Sequence, residues 1–320
     1  MSAPRILFFG LDYHGYTQAL RDEMQRAGYA VTFVDLEPRS PLAKALRTVQ
    51  PRMYARLQRT RLDRAIAAAT GQRLARVIFL QAHQMKPEQL GRLRGQHPQT
   101  PFILYNWDSL KTQDYRSQAR YFDRVMTFDA RDAADHGFEY LPLFATRFIQ
   151  NLRQDRADAK TVAMIGNIVT ARRYRAVQDF RAYCQVHGLS FRSYLKISPV
   201  VWFRLLRQGI LPRDVRFVDI SQAQMTNLIE TAAAMFDFAN HAQSGFTMRT
   251  MESLCAGKKI ITNNPFIRDA PFYTEDRIHG FSGSDFGDVT GFLRRPLTDP
   301  DARFSEHHIQ RFVQHLLGPQ

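Results

Sequence analysis

The sequence predicts an α/β protein made of two tandem, doubly wound (Rossmann-like) domains that face a cleft. Short apolar runs such as RILFFG (Arg5–Gly10) and VIFLQ (Val77–Gln81) alternate with helical stretches from one end of the chain to the other. Near-continuous apolar strands separated by helices are typical of a parallel sheet that is covered on both faces. The alternation restarts after a charged segment at 151–160, and a chain of 320 residues is long enough for two cores.

The first domain is predicted at residues 1–150. A helix at Tyr16–Ala27 ends at Gly28, and a long basic helical region follows at 42–64, where Pro51 is expected to kink or restart the helix. Further strands are predicted at Val31–Leu36, Phe102–Trp107, Arg124–Phe128 and Phe138–Phe144.

The second domain is predicted at residues 151–304, with the polar segment 151–160 as a linker between the domains. Its strands are predicted at Val162–Ile165, Ser190–Leu195, Val215–Val218, Met235–Asn240 and Lys259–Thr262. Its helices are predicted at 171–187, 200–208, 222–232, 246–256 and 285–294, with a final helix at 305–317.

The chain carries a net charge of +14, which indicates an anionic partner or serves solubility alone. Part of this charge lies in the segment 42–64, where an apolar helical stripe accompanies several arginines. The stripe either packs on the sheet or, with the arginines, lies on an anionic membrane surface. The arginines proposed for membrane contact are Arg47, Arg52, Arg56 and Arg59.

Several other classes of protein are disfavoured. No apolar run is long enough to span a bilayer, and the apolar stretch at the N-terminus is too short for a signal peptide. The two cysteines, Cys184 and Cys255, do not make a disulfide framework, so a reducing cytoplasm is expected. His307 and His308 lack partners at metal-ligand spacing, so no zinc site is predicted. There is neither a P-loop nor a GxGxxG motif.

Three polar residues of the first domain are candidates for a general base, because they follow predicted strands. Asp12 and His14 follow the first strand, and Asp108 follows the fourth beside Trp107. The alternatives are a helix cap for Asp12, a solvated loop for His14 and a helix cap for Asp108. Asp129 and Asp132 end the fifth strand in a similar way, but they also fit the start of a capped helix.

The segment 233–264 predicts a buried strand, a polar turn, a short helix and a second strand. The turn Gln243–Thr247 leads into the helix, whose N-terminal N–H groups and partial positive charge suit an anion. Arg249 and Glu252 lie three residues apart on one helical face, so a guanidinium for phosphate is followed by a carboxylate for sugar hydroxyls. Gly166 and Asn167 close another strand, where glycine permits close approach of a ligand or simply makes a turn. Lys196 is either a phosphate contact or a surface lysine.

The motif QSGFTMRTMESLCAGKKIITNN (Gln243–Asn264) and the two α/β domains resemble GT-B glycosyltransferases, in particular the CgeB-like and group-1 polysaccharide and lipopolysaccharide enzymes. The resemblance implies that Glu252 binds the nucleotide ribose. It implies no bound metal, and a final helix (305–320) that crosses back to the first domain. Many relatives that retain the anomeric configuration carry a second glutamate where this chain has Ser244. Whether the transfer retains or inverts that configuration is therefore left open. The residues implied to contact the donor phosphates are Ser244, Gly245, Thr247 and Arg249.

These expectations combine into a cytoplasmic glycosyltransferase, with peripheral attachment to the inner face of the membrane left open. Its second domain binds a nucleotide-sugar and its first domain a glycan or lipid-linked acceptor. The alternatives are a nucleotide-sugar epimerase or hydrolase of the same fold, a nucleic-acid-binding protein supported by charge alone, and a non-catalytic membrane scaffold. No nucleic-acid motif is found, so nucleic acid is not expected as a partner.

Overall fold

A computed structural model describes residues 3–12, 15–37, 40, 43, 46–47, 49–239, 244–302 and 304–318. Its described residues divide into two compact units. The first unit holds residues 3–143, 244–245 and 309–318, and the second unit holds 144–239 and 246–308. Each unit is built around its own sheet.

The first unit is a six-stranded sheet in the order β2-β1-β3-β4-β5-β6, and all its strand pairs are parallel. Its elements are β1 (Arg5–Gly10), α1 (Tyr16–Arg26), β2 (Ala30–Asp35), α2 (Pro51–Ala69), β3 (Arg76–Leu80), α3 (Pro87–Gln96), β4 (Phe102–Asn106), α4 (Arg116–Ala119), β5 (Arg124–Thr127), α5 (Ala130–His136) and β6 (Glu139–Tyr140).

The second unit has six parallel strands in the order β12-β11-β10-β7-β8-β9. Its elements are α6 (Arg147–Gln150), β7 (Asp158–Ile168), α7 (Ala171–Val186), β8 (Ser190–Ile197), α8 (Pro199–Arg207), β9 (Val215–Arg216), α9 (Gln222–Thr231), β10 (Ala232–Asp237), α10 (Met248–Cys255), β11 (Lys259–Thr262), β12 (Ile278–Gly280) and α11 (Val289–Arg294). The prediction of two doubly wound α/β domains is therefore confirmed.

The last helix, α12 (Ile309–Leu317), packs within the first unit. The ring of Phe312 meets the ring of Tyr105 edge-on, with centroids 4.8 Å apart. The Nε of Arg76 donates to the carbonyl oxygen of Leu317 at 2.6 Å, which occupies one of the carbonyls that a helix C-terminus leaves without a partner.

Some elements differ from the sequence prediction. Of residues 138–144, only Glu139–Tyr140 form a strand, because only these two residues pair with β5. Strand β7 already begins at Asp158, inside the segment read as a linker. Strand β12 was not predicted, since three residues carry no periodic pattern and only the pairing with β11 defines it.

The basic helix is packed over only part of its length. Pro51 is the first residue of α2, and Leu62 and Ile66 are buried against the first core. Val49, Met53 and Leu57, however, are 77%, 44% and 56% exposed. The interpretation that the whole stripe packs on the sheet is therefore wrong for these three residues.

An aromatic cluster forms the centre of the second core. Phe180 of α7 is fully buried and stacks on Phe236 of β10, with ring centroids 4.2 Å apart. The rings of Phe191 and Phe286 each meet Phe180 edge-on at 5.0 Å. Cys184, one turn along α7, is buried in the same cluster, and burial raises the pKa of its thiol to about 12, as expected for a structural cysteine.

We predict that Phe180→Ala lowers the free energy of unfolding by about 3–5 kcal/mol, because the ring leaves a cavity that its aromatic neighbours cannot fill. Val186→Ala on the same helix is the matched control, since Val186 is 81% exposed, and it should change the stability by less than about 0.5 kcal/mol. Urea titration measures both. Equal small effects of the two variants would contradict this account of the core.

Candidate functional site

In the second unit, the connection from β10 to α10 brings polar side chains to the carboxyl end of the sheet. Thr247 has an extended backbone and caps α10, because its Oγ1 accepts a hydrogen bond from the N–H of Thr250 at 3.2 Å. The same hydroxyl donates to Oδ2 of Asp237, the last residue of β10, at 2.9 Å. The hydroxyl of Thr250 also reaches this oxygen, at 3.3 Å. The start of the helix is thus fastened to the end of the strand.

Asp237 is only 3% exposed, and this burial raises the pKa of its carboxyl group. The positive charges of Arg173 and Arg249 and the two threonine hydroxyls act in the opposite direction. Arg173 comes from the first turn of α7 and Arg249 from the first turn of α10. Two guanidinium groups from different helices therefore lie within electrostatic range of one buried carboxylate.

Gly166 lies beside one of these guanidinium groups. A Cβ atom at this position of β7 would lie 2.9 Å from Nη2 of Arg173, so the missing side chain leaves room for the guanidinium. The sequence predicted that Gly166 and the half-buried Asn167 approach a ligand. Arg173 itself was not predicted. The sequence contained a signal that could have identified Arg173, because a basic residue stands in the first turn of the helix that follows the glycine-containing strand.

Arg249 and Glu252 form an ion pair one turn apart on α10, and their side chains are 24% and 3% exposed. The sequence assigned them to separate parts of a ligand, whereas the structure joins them through Nη1 of Arg249 and Oε2 of Glu252. The pair holds the guanidinium at the first turn of the helix, in the electrostatic range of Asp237.

Ser244 and Gly245 bind a carboxylate of the first unit. The N–H groups of Ser244 and Gly245 donate to Oδ2 of Asp129 at 2.8 and 3.2 Å, and the hydroxyl of Ser244 donates to Oδ1. The sequence predicted that these two residues bind donor phosphate oxygens. The described structure places an anionic oxygen there, and this oxygen belongs to Asp129.

Asp129 also caps α5: its side chain accepts hydrogen bonds from the N–H groups of Arg131 and Asp132. The capped-helix interpretation of Asp129 is thereby confirmed. Burial acts to raise the pKa of Asp129, but the hydrogen bonds from Ser244, Asp132 and Gly245 outweigh it and lower the pKa below the usual value. A Cβ on Gly245 would lie 2.9 Å from the backbone oxygen of Phe128 and closer still to its ring, so glycine is required there.

The other described candidates of the first unit, Asp12 and Asp108, follow two different strands. Asp12 is exposed just after β1. Asp108 is half-buried after β4, and its Oδ2 accepts a hydrogen bond from Nε2 of Gln81. The cap interpretation of Asp108 is wrong, because the next helix begins only at Arg116. His14 and Gln243 lie outside the described residues, as do Asn240 and His241.

Lys196 and Arg47 are engaged in surface ion pairs. The amino group of Lys196 contacts the carboxylate of Asp219, which fits the surface interpretation. Nη1 of Arg47 lies 2.9 Å from Oε1 of Glu37. Among the described residues, no three His, Cys, Asp or Glu side chains are grouped as metal ligands would be.

No protein-family model and no curated protein matches the sequence, but solved structures resemble the fold. An α-glucosyltransferase in complex with UDP and a 13-mer DNA has a TM-score of 0.61 at 12% identity, over 98% of this chain and 94% of that chain. The lipopolysaccharide outer core galactosyltransferase WaaB has a TM-score of 0.60 at 12% identity, over 98% and 99%. Sucrose-phosphate synthase from Thermosynechococcus elongatus has a TM-score of 0.58 at 13% identity, over 98% and 95%.

The chain thus has the fold of GT-B glycosyltransferases, and the resemblance inferred from Gln243–Asn264 is confirmed at the level of fold. At these identities the likeness concerns the fold alone.

We predict that Asp129→Asn lowers the free energy of unfolding at pH 7 by about 1.5–3 kcal/mol, because a charged acceptor of several hydrogen bonds is lost. The folded-state pKa of Asp129 is lowered. Its stabilisation is therefore present above its ordinary pKa of about 3.9 and is lost as the pH falls through the folded-state value. The difference between variant and parent should shrink on acidification.

Denaturant titrations between about pH 3 and pH 7 measure this difference. The control is Asp135→Asn, an exposed aspartate of the same helix α5, for which a change below about 0.5 kcal/mol is expected. A pH-independent effect of Asp129→Asn would show that the charge is not what stabilises this contact.

Proposed function

We propose that the protein is a glycosyltransferase that moves a sugar from a nucleotide-sugar to a hydroxyl group of a cell-surface glycan or lipid-linked acceptor. The observation that carries the proposal is that Arg173 and Arg249 both act electrostatically on the buried Asp237, to which the cap of α10 is hydrogen-bonded. Two guanidinium groups and the N–H groups of a helix N-terminus are complementary to a diphosphate. The fold, shared with sugar-transferring enzymes, supports the same reaction class.

In this proposal the second unit binds the donor. Arg173 and Arg249 neutralise the charge that develops on the diphosphate as the bond to the sugar breaks, so no bound metal is needed. Asp237 and Thr247 organise these groups rather than touching the donor, because their polar atoms are engaged with each other. Glu252 accepts hydrogen bonds from the ribose hydroxyls when its pair with Arg249 rearranges.

The remaining predicted contacts of the donor stay part of the proposal. Gly166 and Asn167 lie at the end of β7, next to Arg173. Ser244 and Gly245 serve the donor only if their N–H groups exchange Asp129 for a phosphate oxygen. UDP is the first nucleotide to test, since the similar α-glucosyltransferase is described as a complex with UDP.

The acceptor would bind to the first unit, where Asp108, Asp12 or His14 would remove the proton from its hydroxyl group. Asp108 has the strongest support among the described residues, because burial raises the pKa of its carboxyl group and so makes it a better proton acceptor.

We also propose that the protein is cytoplasmic and binds peripherally to an anionic membrane through the exposed start of α2. No described helix is long and apolar enough to cross a bilayer. Met53 and Leu57 are exposed apolar side chains, and the nearby arginines are exposed as well. Apolar anchors with basic neighbours suit insertion among anionic headgroups. The arginines concerned are Arg52, Arg56 and Arg59, with Arg47 beside them.

We predict that Arg249→Ala lowers the turnover by at least about tenfold, equivalent to about 1.4 kcal/mol of transition-state stabilisation. Arg249→Lys should retain part of the activity, since the charge remains but the planar fork of donors is lost. The exposed Arg268 of the same unit gives the control variant Arg268→Ala, which should match the parent.

A thermal-shift screen of the parent protein with UDP, GDP, CMP and their sugars identifies the donor, because ligand binding to the folded state raises the melting temperature. Nucleotide release is then measured with and without an added acceptor. Release that never depends on an acceptor would favour a hydrolase or epimerase. A melting temperature unmoved by every nucleotide would remove the proposed donor site.

We predict that Met53→Ser with Leu57→Ser reduces binding to phosphatidylcholine vesicles that contain about 30% phosphatidylglycerol, measured by co-sedimentation. Leu211→Ser, at an exposed leucine of the second unit, is the control and should leave binding unchanged. Binding should also fall as salt is added, because the arginines contribute through charge. Equal binding by the double variant and the parent would exclude this surface.

A further inference from the structure

A cavity lies between α7, β8 and the start of β9 in the second unit. Its volume is about 230 Å³, and it is lined by Arg181, Ser193, Tyr194, Asp214 and Arg216. Arg181 belongs to α7, Ser193 and Tyr194 belong to β8, Arg216 belongs to β9, and Asp214 directly precedes that strand. Since β9 is an outer strand of this sheet, the cavity lies at the edge of the sheet.

The cavity is separate from the site proposed for the donor. Arg173, which the proposed function assigns to the donor, lies in the first turn of α7, and Arg181 follows it eight residues later. At a rise of about 1.5 Å per residue, this spacing separates the two residues by about 12 Å along the helix axis. Neither Gly166 nor Arg249 is among the residues that line the cavity. A ligand bound in it would therefore be distinct from the donor.

The guanidinium of Arg181 is held in a defined position at the wall of the cavity. Its Nη2 donates to Oγ of Ser193 at 2.9 Å, and its Cζ lies over the ring of Phe191, 5.5 Å from the ring centroid. The hydroxyl of Ser193 accepts this bond and can still donate its own proton to a ligand. A guanidinium that is already positioned loses less conformational entropy on binding than a free surface arginine does.

The charges around the cavity favour an anion. Arg181 and Arg216 bring two positive charges, whereas Asp214 brings one negative charge. Oδ2 of Asp214 lies 3.9 Å from Nη1 of Arg181, which is too far for a hydrogen bond, and the aspartate side chain is 67% exposed. Tyr194 adds no donor, because its hydroxyl donates to the carbonyl oxygen of Val218 at 3.1 Å.

We propose that this cavity is a second anion site, which binds inorganic phosphate or the phosphate group of a small phosphomonoester. The guanidinium groups of Arg181 and Arg216 and the hydroxyl of Ser193 donate to its oxygens. A phosphate group offers three strongly accepting oxygens and nearly two negative charges, which suit three donor groups better than a carboxylate does. The volume of about 230 Å³ lies below the roughly 300–1,000 Å³ of sites for drug-sized ligands, so the ligand is small. This site does not depend on the proposed function.

Asp214 gives the proposal a readout that loss of structure cannot imitate. Its carboxylate competes with the ligand for Arg181, so removal of its charge should strengthen the binding of phosphate. The backbone of Asp214 has a φ of 55°, a left-handed conformation that asparagine tolerates as well as aspartate does. We therefore predict that Asp214→Asn lowers the Kd for inorganic phosphate by about threefold or more without altering the fold.

The test is isothermal titration calorimetry of the full chain with inorganic phosphate and with glycerol 3-phosphate, at about pH 7.5, where both are largely dianionic. Every protein also carries Arg249→Ala, which disables the proposed donor site. We expect a Kd of about 1 mM or below. Arg181→Gln should raise this Kd by about tenfold or more. Arg192→Gln, at an exposed arginine of β8, is the matched control and should leave the Kd unchanged.

Arg216→Gln provides a second test, because the packing of Arg181 on Phe191 also contributes to the fold. Arg216 is exposed, so this substitution should leave the melting temperature unchanged while the Kd rises by about fivefold or more. Acetate should bind about tenfold more weakly than phosphate, since it has fewer oxygens and a smaller charge. Acetate that binds as tightly as phosphate would overturn the choice of ligand.

The remaining outcomes identify the source of the phosphate or overturn the site. Tighter binding of glycerol 3-phosphate than of inorganic phosphate supports an esterified ligand, and binding no tighter supports inorganic phosphate. If neither ligand binds up to about 10 mM, or if Arg181→Gln and Arg216→Gln bind phosphate as the Arg192→Gln control does, the site is overturned. A failure of nucleotides to bind the parent protein would remove the proposed function and leave this inference standing.

Discussion

The buried carboxylate of Asp237 is the group on which the local structure of the second unit depends. A carboxylate that loses its water costs several kcal/mol unless charges and hydrogen bonds replace the lost hydration. In this unit the replacement comes from Thr247, Thr250, Arg173 and Arg249. Thr250 belongs to α10 and Thr247 is its cap, so their hydrogen bonds to Asp237 fix where α10 begins relative to the end of β10.

The first unit uses the same physical solution at Asp129. Its two oxygens accept hydrogen bonds from the first turn of α5 and from the backbone and hydroxyl of Ser244, with Gly245 completing the set. Both units therefore place an aspartate at or just after the carboxyl end of a strand and surround it with donors. At Gln81 the surroundings are incomplete, because a buried carbonyl oxygen lacks a partner among the described residues.

The fold could be predicted largely from the sequence because buried parallel strands must be apolar. Runs such as Arg5–Gly10 and Lys259–Thr262 are bounded in the structure as the sequence indicated. The errors fall where local pattern carries little information. The three-residue strand β12 exists through its pairing with β11, and the exposure of Met53 and Leu57 depends on where α2 meets the core. An apolar stripe predicts a helix but not what covers it.

For the candidate site, the sequence by itself determined the polar turn before α10 and the placement of Arg249 and Glu252 on one helical face, because these follow from spacing along the chain. Only the tertiary structure decided that Arg173 stands over Gly166 and that Asp129 occupies the donors of Ser244 and Gly245. It also decided that Gln81 and Asp108 meet at one sheet edge. These contacts join residues that are distant in sequence, and their partners are selected by strand order and by the need to satisfy buried charge, neither of which a local pattern encodes.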